Sequence, residues 1–248
     1  MNIIKNWFYK LSEIYDEKIT IEENLIVSIF DDTSFPPLLS KRGARGELWI
    51  SLWKNTILEF YSFIENTDDL KINFIQKQEW SKLKVNCLLF SSNIVSPARG
   101  RCLKGRWGLK AKIYSKIISS NTKSDIKILS LVWNDWFIDL DWIIEIWENI
   151  NWVDWNLSEE NLFLWNTWKI KWIPTLLVRS DDVKASHSCK MERISDEKLF
   201  YLRSRWIWKE NALSMMIEAK IRSLFLCISM LDNDFYEKLL EKILKKVK

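Results

Sequence analysis

Ile173 to Ile207 reads IPTLLVRSDDVKASHSCKMERISDEKLFYLRSRWI and contains the chain's only histidine, His187. Its first part is extended. Leu176, Leu177 and Val178 form a short apolar run between Pro174 and the polar Arg179-Ser180-Asp181-Asp182, the pattern of a buried strand bounded by turns. Its last part is helical: Ser195 stands as N-cap, Asp196 and Glu197 put negative charge on the first turn, and Leu199, Phe200 and Leu202 begin an apolar face. His187 therefore lies where a β body hands over to a helical tail. In a strand, positions 187 and 189 share a face, so Cys189 would stand beside it.

Upstream, the chain is β-like from Ile19 onward. Ile19-Thr20-Ile21, Leu25–Phe30, Glu47–Phe63, Lys71–Ile75 and Leu83–Phe90 read as strands with no long helix between them, which excludes βαβ units. Shorter segments follow: Ile113-Tyr114, Ile117-Ile118, Ile126–Leu129, Phe137–Leu140, Ile143–Ile146 and Leu162–Leu164. Such repetition fits a parallel β-solenoid or a β-sandwich, and the residues alone leave both open. Residues 1–18 have apolar side chains at Ile3, Ile4, Trp7, Phe8 and Leu11 and predict a short amphipathic helix. Past Ser195 the period becomes 3.6. Leu213, Ile217, Ile221, Leu224, Phe225 and Ile228 form one helical stripe, interrupted at Asp232-Asn233, and Phe235, Leu239, Leu240, Ile243 and Val247 form another, read as core or solenoid cap. The expected organisation is an N-terminal segment over 1–18, a β core over 19–194 and a helical domain over 195–248.

A chain of 248 residues with 48% hydrophobic and 28% charged content can bury a sizeable core as a globular protein. The net charge of +4 is too small to imply nucleic-acid binding. Met1 to Tyr9 lacks a run long enough for a secretory h-region, and the longest apolar run, Leu224 to Ile228, is far too short to span a membrane. A cytoplasmic protein with no membrane contact is expected. Cys87, Cys102, Cys189 and Cys227 form no CxxC pair, which fits reduced thiols. The basic cluster Arg99, Arg101, Lys104, Arg106, Lys110 and Lys112 reads as a solvated face. It contains no P-loop, so direct ATP binding is not expected. There is no nucleophile elbow, and a Ser-His-Asp triad would have to use His187.

Asp182-Val183-Lys184-Ala185-Ser186-His187, followed by Ile194-Ser195-Asp196-Glu197-Lys198-Leu199-Phe200-Tyr201-Leu202-Arg203-Ser204-Arg205, resembles the C-terminal signature of the SufB/SufD family, closer to SufD. These are the scaffold subunits of the SUF iron–sulfur cluster assembly system. The close resemblance runs over roughly residues 174–225. It implies a right-handed parallel β-helix, mainly β, with a C-terminal α-helical tail, and a scaffold that is not itself an enzyme. It further implies pairing with a SufB-type chain or a second copy of itself, and docking of a SufC-type ABC ATPase by the helical region around Phe200, Tyr201, Arg203 and Arg205. A transient Fe–S cluster shared with the partner chain would form near His187, and the resemblance leaves room for reduced flavin in the complex. Cys189 offers a thiolate there, while Ala185 and Ser188 stand where the family commonly has cysteine and glycine. One histidine and scattered cysteines cannot close a four-ligand site within one chain. Two other readings stay open: a β-helix carbohydrate-active enzyme using a carboxylate pair among Asp139, Asp141, Glu145 and Asp154, and a plain structural or interaction solenoid.

One composition is abnormal: 16 tryptophans against 5 glycines. Every glycine precedes residue 109, although β turns need residues at positive φ throughout. Tryptophans occupy turn contexts instead, as in Val132-Trp133-Asn134-Asp135-Trp136 and Leu164-Trp165-Asn166-Thr167-Trp168. Trp206 falls where a helix would end on a left-handed residue, and where the SUF phrase has glycine. The pattern predicts that many tryptophans are UGA codons read as glycine in the source organism. The alternative is an aromatic ladder on a solenoid, although the spacing of Trp142, Trp147 and Trp152 matches neither strand alternation nor a solenoid rung.

Overall fold

A computed structural model describes residues 1–3, 5, 7–11, 14, 18–31, 47–65, 70–91, 108–132, 137–164 and 169–247. Among the described residues, fourteen strands, numbered in chain order, alternate between two seven-stranded sheets. Sheet A holds β1 (Asn2–Ile3), β3 (Lys18–Ile21), β5 (Glu47–Leu52), β7 (Leu70–Gln76), β9 (Gly108–Ile117), β11 (Phe137–Ile146) and β13 (Lys169–Val178). Sheet B holds β2 (Trp7–Lys10), β4 (Ile26–Asp31), β6 (Ile57–Glu65), β8 (Lys82–Ser91), β10 (Lys123–Val132), β12 (Val153–Phe163) and β14 (Val183–Arg193). Each strand pairs in parallel with the strand two before it. Parallel neighbours need a long crossover, and here the crossover is the strand in the opposite sheet. The architecture is a flattened parallel β-helix.

Period-2 alternation lines the space between the sheets. In β12, Val153, Trp155 and Leu157 point inward, while Asp154, Asn156 and Ser158 are half exposed. The register stacks inward residues into columns, one running Ile29, Phe60, Val85, Ile126, Leu157, all buried. The corners after odd strands are short and carry asparagines at positive φ, including Asn24, Asn55 and Asn121. The ladder continues through them: the Asn24 N–H donates to the Lys54 carbonyl at 2.9 Å and that of Asn55 to Glu79 at 3.2 Å.

The tail comprises α1 (Asp196–Ser204), α2 (Lys209–Leu231) and α3 (Asn233–Val247). Ser195 caps α1 by accepting from the Lys198 N–H at 3.4 Å. Asp232 caps α3 through the Phe235 N–H at 2.9 Å. The stripe Ile217, Ile221, Phe225 and Ile228 of α2 is buried against the outer face of sheet B, on Tyr61, Phe63, Leu88, Phe90, Leu129, Leu131 and Leu162. Phe225 meets Phe30 and Tyr61 edge-on, with centroids 6.2 and 6.3 Å apart. Phe235 meets Phe30 at 5.0 Å and Phe8 at 6.1 Å. From Lys220, midway along it and in contact with β12 and β14, α2 runs back across sheet B toward β2, where Lys10 lies 3.8 Å from Asp232. No described helix is long and apolar enough to cross a membrane.

Four expectations change. The described part of residues 1–18 forms strands β1 and β2 instead of the amphipathic helix, because pairing with β3 and β4 satisfies their backbone and Phe8 packs on Phe235. The short segments around residues 113–118 and 137–146 are continuous ten-residue strands. Leu176, Leu177 and Val178 are exposed rather than buried, because β13 is the last strand of its sheet. Of the two readings of the tail's apolar stripes, core holds and solenoid cap does not: they are buried on a sheet face and do not cap an end. Most of the basic cluster, with Cys102, lies outside the described residues, as do Trp133, Trp136, Trp165 and Trp168.

Phe225→Ala is expected to lower the unfolding free energy by about 3–5 kcal/mol, seen as a lower urea midpoint at unchanged m-value. An unchanged midpoint would show that the tail and the β-helix unfold separately.

Candidate functional site

The inward columns end at β14. His187 pairs with Leu157 and so extends the apolar column by one member; Cys189 pairs with Glu159 and extends the neighbouring column of Cys87 and Ile128. At all earlier rungs these positions are sealed between neighbours. At the last rung no further strand follows among the described residues, and both side chains stand exposed over the open end of the β-helix interior.

The surroundings set their chemistry. The His187 ring lies 4.9 Å from that of Trp172 on β13, tilted by 38°. Burial holds its imidazole below the ordinary value, so at neutral pH it is uncharged and can donate a lone pair. Cys189 Sγ accepts from Asn161 Nδ2 at 3.5 Å. Burial, with the Glu159 carboxylate as the next cause, pushes its thiol above the ordinary range. Glu159 is buried beneath it, facing Cys189 and Trp172; burial pushes its carboxyl up to about 8, against the opposing pull of those two neighbours. Glu159, Asn161 and Trp172 were not singled out in the sequence. The signal that could have found them is the rung period, which puts Glu159 directly beneath Cys189.

An ion-pair network ties the far end of β14 to the tail. Lys220 of α2 bonds the Glu160 carboxylate and lies 3.4 Å from Glu192; Lys190 reaches Glu192 at 2.6 Å and Glu160 at 3.4 Å, and Lys198 of α1 reaches Glu192 at 3.5 Å. The hydrogen bond from Lys190, with Lys220 adding its charge, holds Glu192 down at about 2.

Phe200, Tyr201, Arg203 and Arg205 lie away from the open end, on and just after α1, a helix with no buried residue. The Arg205 guanidinium stacks 4.8 Å over the Tyr201 ring, and Phe200 projects into solvent. The structure therefore does not bring these residues together with His187 and Cys189. Cys87 is buried in the β-helix interior, and Cys227 of α2 accepts from Lys84 Nζ at 3.4 Å. Among the described residues, no group of three or more His, Cys, Asp and Glu side chains converges to hold a metal ion. Three of the four carboxylates weighed for glycoside cleavage face outward onto cations of an adjacent rung: Asp139 onto Lys171 at 3.2 Å, Asp154 onto Lys123 at 3.0 Å, and Glu145 onto Lys116 at 3.5 Å.

Fold and last rung together define a parallel β-solenoid that presents a histidine and a cysteine at an open end. Residues 143–220, which include that end and the start of the tail, match the family described as SUF system FeS cluster assembly, SufBD core domain. A segment of 66 residues is 39% identical to the iron-sulfur cluster assembly protein SufD of Escherichia coli (strain K12), covering 27% of this chain and 16% of that protein. Over this stretch the chain is similar to the SufB/SufD family, on the SufD side.

Two outcomes follow from this geometry. The raised folded-state value of Glu159 means that its contribution to stability is intact below the ordinary carboxyl value of 4.5 and is lost as pH rises through about 8. Glu159→Gln should therefore flatten the fall in stability across that window in denaturant titrations, and an unaltered pH profile would contradict the burial assignment. Lys220→Met should speed amide exchange in β14 while leaving β6 and β8 unchanged, because it removes the ionic hold of α2 on Glu160 and Glu192.

Proposed function

We propose that this chain is a scaffold subunit of the SUF iron–sulfur cluster assembly machinery. The observation that carries the reading is the last rung: His187 and Cys189 stand side by side at an end whose backbone edges, β13 and β14, have no further strand. Two ligands do not complete a cluster. The remaining ligands would come from a second SufB/SufD-type chain, a SufB-type scaffold or another copy, docked on that end. Ile173, Leu176, Leu177, Val178 and Met191, exposed on the same two strands, supply the apolar area for such pairing.

In this reading the cluster is cargo. Iron would bind the neutral imidazole of His187 directly and would displace the proton of Cys189, whose thiol is held protonated by burial until metal arrives. The chain itself performs no hydrolysis. A SufC-type ABC ATPase would dock at the tail through Phe200, Tyr201, Arg203 and Arg205, and the Lys220 network would carry its movement to β14. Reduced flavin would act in the assembled complex, and the cytoplasm is the compartment that suits reduced thiols. The glycosidase reading is less well supported, since Asp139, Glu145 and Asp154 are neutralised by lysines one rung away.

Anaerobic co-expression with a SufC-type ATPase and a SufB-type chain, followed by purification on a tag at this chain, tests the reading. The ATPase is expected at a fixed ratio, with iron and sulfide bound, and His187→Ala should lose most of the iron while retaining the ATPase. A lone, iron-free protein would sink it.

A further inference from the structure

We infer that Trp80, Trp152 and Trp206 are glycine in the protein as its own cells make it, the codons translated here as tryptophan being read there as glycine. Seven described non-glycine residues have positive φ: Asn24, Asn55, Asn121 and Asn149, and Trp80, Trp152 and Trp206. Asparagine tolerates the left-handed region because its short side chain bonds locally. A bulky ring there is a steric outlier, since its Cβ crowds the following carbonyl. No residue type intermediate between these two extremes occupies such a position among the described residues.

The local structure shows what each position requires. Trp80, with φ 63°, sits in the corner column between Asn55 and Asn121, and its N–H donates to the Asn121 carbonyl at 3.0 Å. Trp152, with φ 59°, takes the same role further along, donating to Asp182 at 3.1 Å. The backbone bond, not the ring, is what the corner uses: the two residues are 55% and 73% exposed and recover little burial against their strain. Trp206, with φ 64°, terminates α1. Its N–H donates to the Arg203 carbonyl at 3.0 Å and that of Ile207 to Leu202 at 3.3 Å, the paired bonds of a Schellman ending whose left-handed residue is ordinarily glycine. Its side chain is 94% exposed.

Strain can be kept for function, and Trp80 and Trp152 do flank a surface groove with Asn121, Lys82, Lys123 and Asp154. Trp206 lies on another element and flanks no part of that groove, yet shares the conformation. One cause covers all three. The absence of glycine from residue 109 to the end, across a segment rich in turns, is the same deficit seen in composition. Such a reading would use UGA, which lies one base from both a tryptophan and a glycine codon. The inference is independent of the proposed function.

The test has two parts. W80G, W152G and W206G, made in the full chain, are each expected to raise the melting temperature by about 2–4 °C, whereas W80A, W152A and W206A are not, since alanine keeps the Cβ. Peptide mass spectrometry of the protein from its source cells should find glycine in the tryptic peptide spanning Gln78 to Lys82. Tryptophan recovered in that peptide, or glycine variants melting no higher than the alanine ones, overturns the inference.

Discussion

A parallel strand satisfies its backbone only when a neighbour lies on each side. In this chain that neighbour is always the strand two earlier and the strand two later, so every rung rests on the previous one. The arrangement produces long inward columns of isoleucine, leucine, valine and phenylalanine without any local helix to cover them. It also guarantees that the last rung is unlike the others. Its inward positions have the geometry of core positions, but only one side is covered. Polar side chains that would be expensive in the middle of the column are affordable there, and His187 and Cys189 occupy that place.

The second organising contact is between sheet B and the tail. Strand alternation fails at the C-terminal ends of β6, β8 and β10, where Tyr61, Phe63, Leu88, Phe90, Leu129 and Leu131 are buried on the outer face as well as the inner one. Those residues make sense only with α2 and α3 laid over them. The helices therefore share one hydrophobic unit with the strands, and the ionic contacts of Lys220 pin the middle of α2 to β12 and β14.

How much of this was legible in the sequence follows from the range of the signals. Helix periodicity past Ser195 and the cap at Ser195 are local, and both hold in the structure. The shared face of His187 and Cys189 follows from strand geometry alone. The opening residues misled because apolar positions at 3, 7, 8 and 11 suit a helix as well as two short strands, and pairing with β3 and β4 decided between them. Leu176–Val178 looked buried because an apolar run carries no mark of being last in a sheet. Glu159 was invisible for a related reason: its neighbour Cys189 is a full rung away in sequence, and no short motif spans that distance.

α2 has 23 residues and, at about 1.5 Å per residue, is about 35 Å long. Seven strands at about 4.8 Å spacing place the first and last strands of sheet B about 29 Å apart. Helix and stack are therefore of comparable length, yet Lys220, midway along α2, is what reaches β12 and β14, and Phe235 of α3 is what packs on Phe8 of β2. The two helices thus share the span of sheet B between them, and a change in the number of coils would alter how much of its outer face they can cover together.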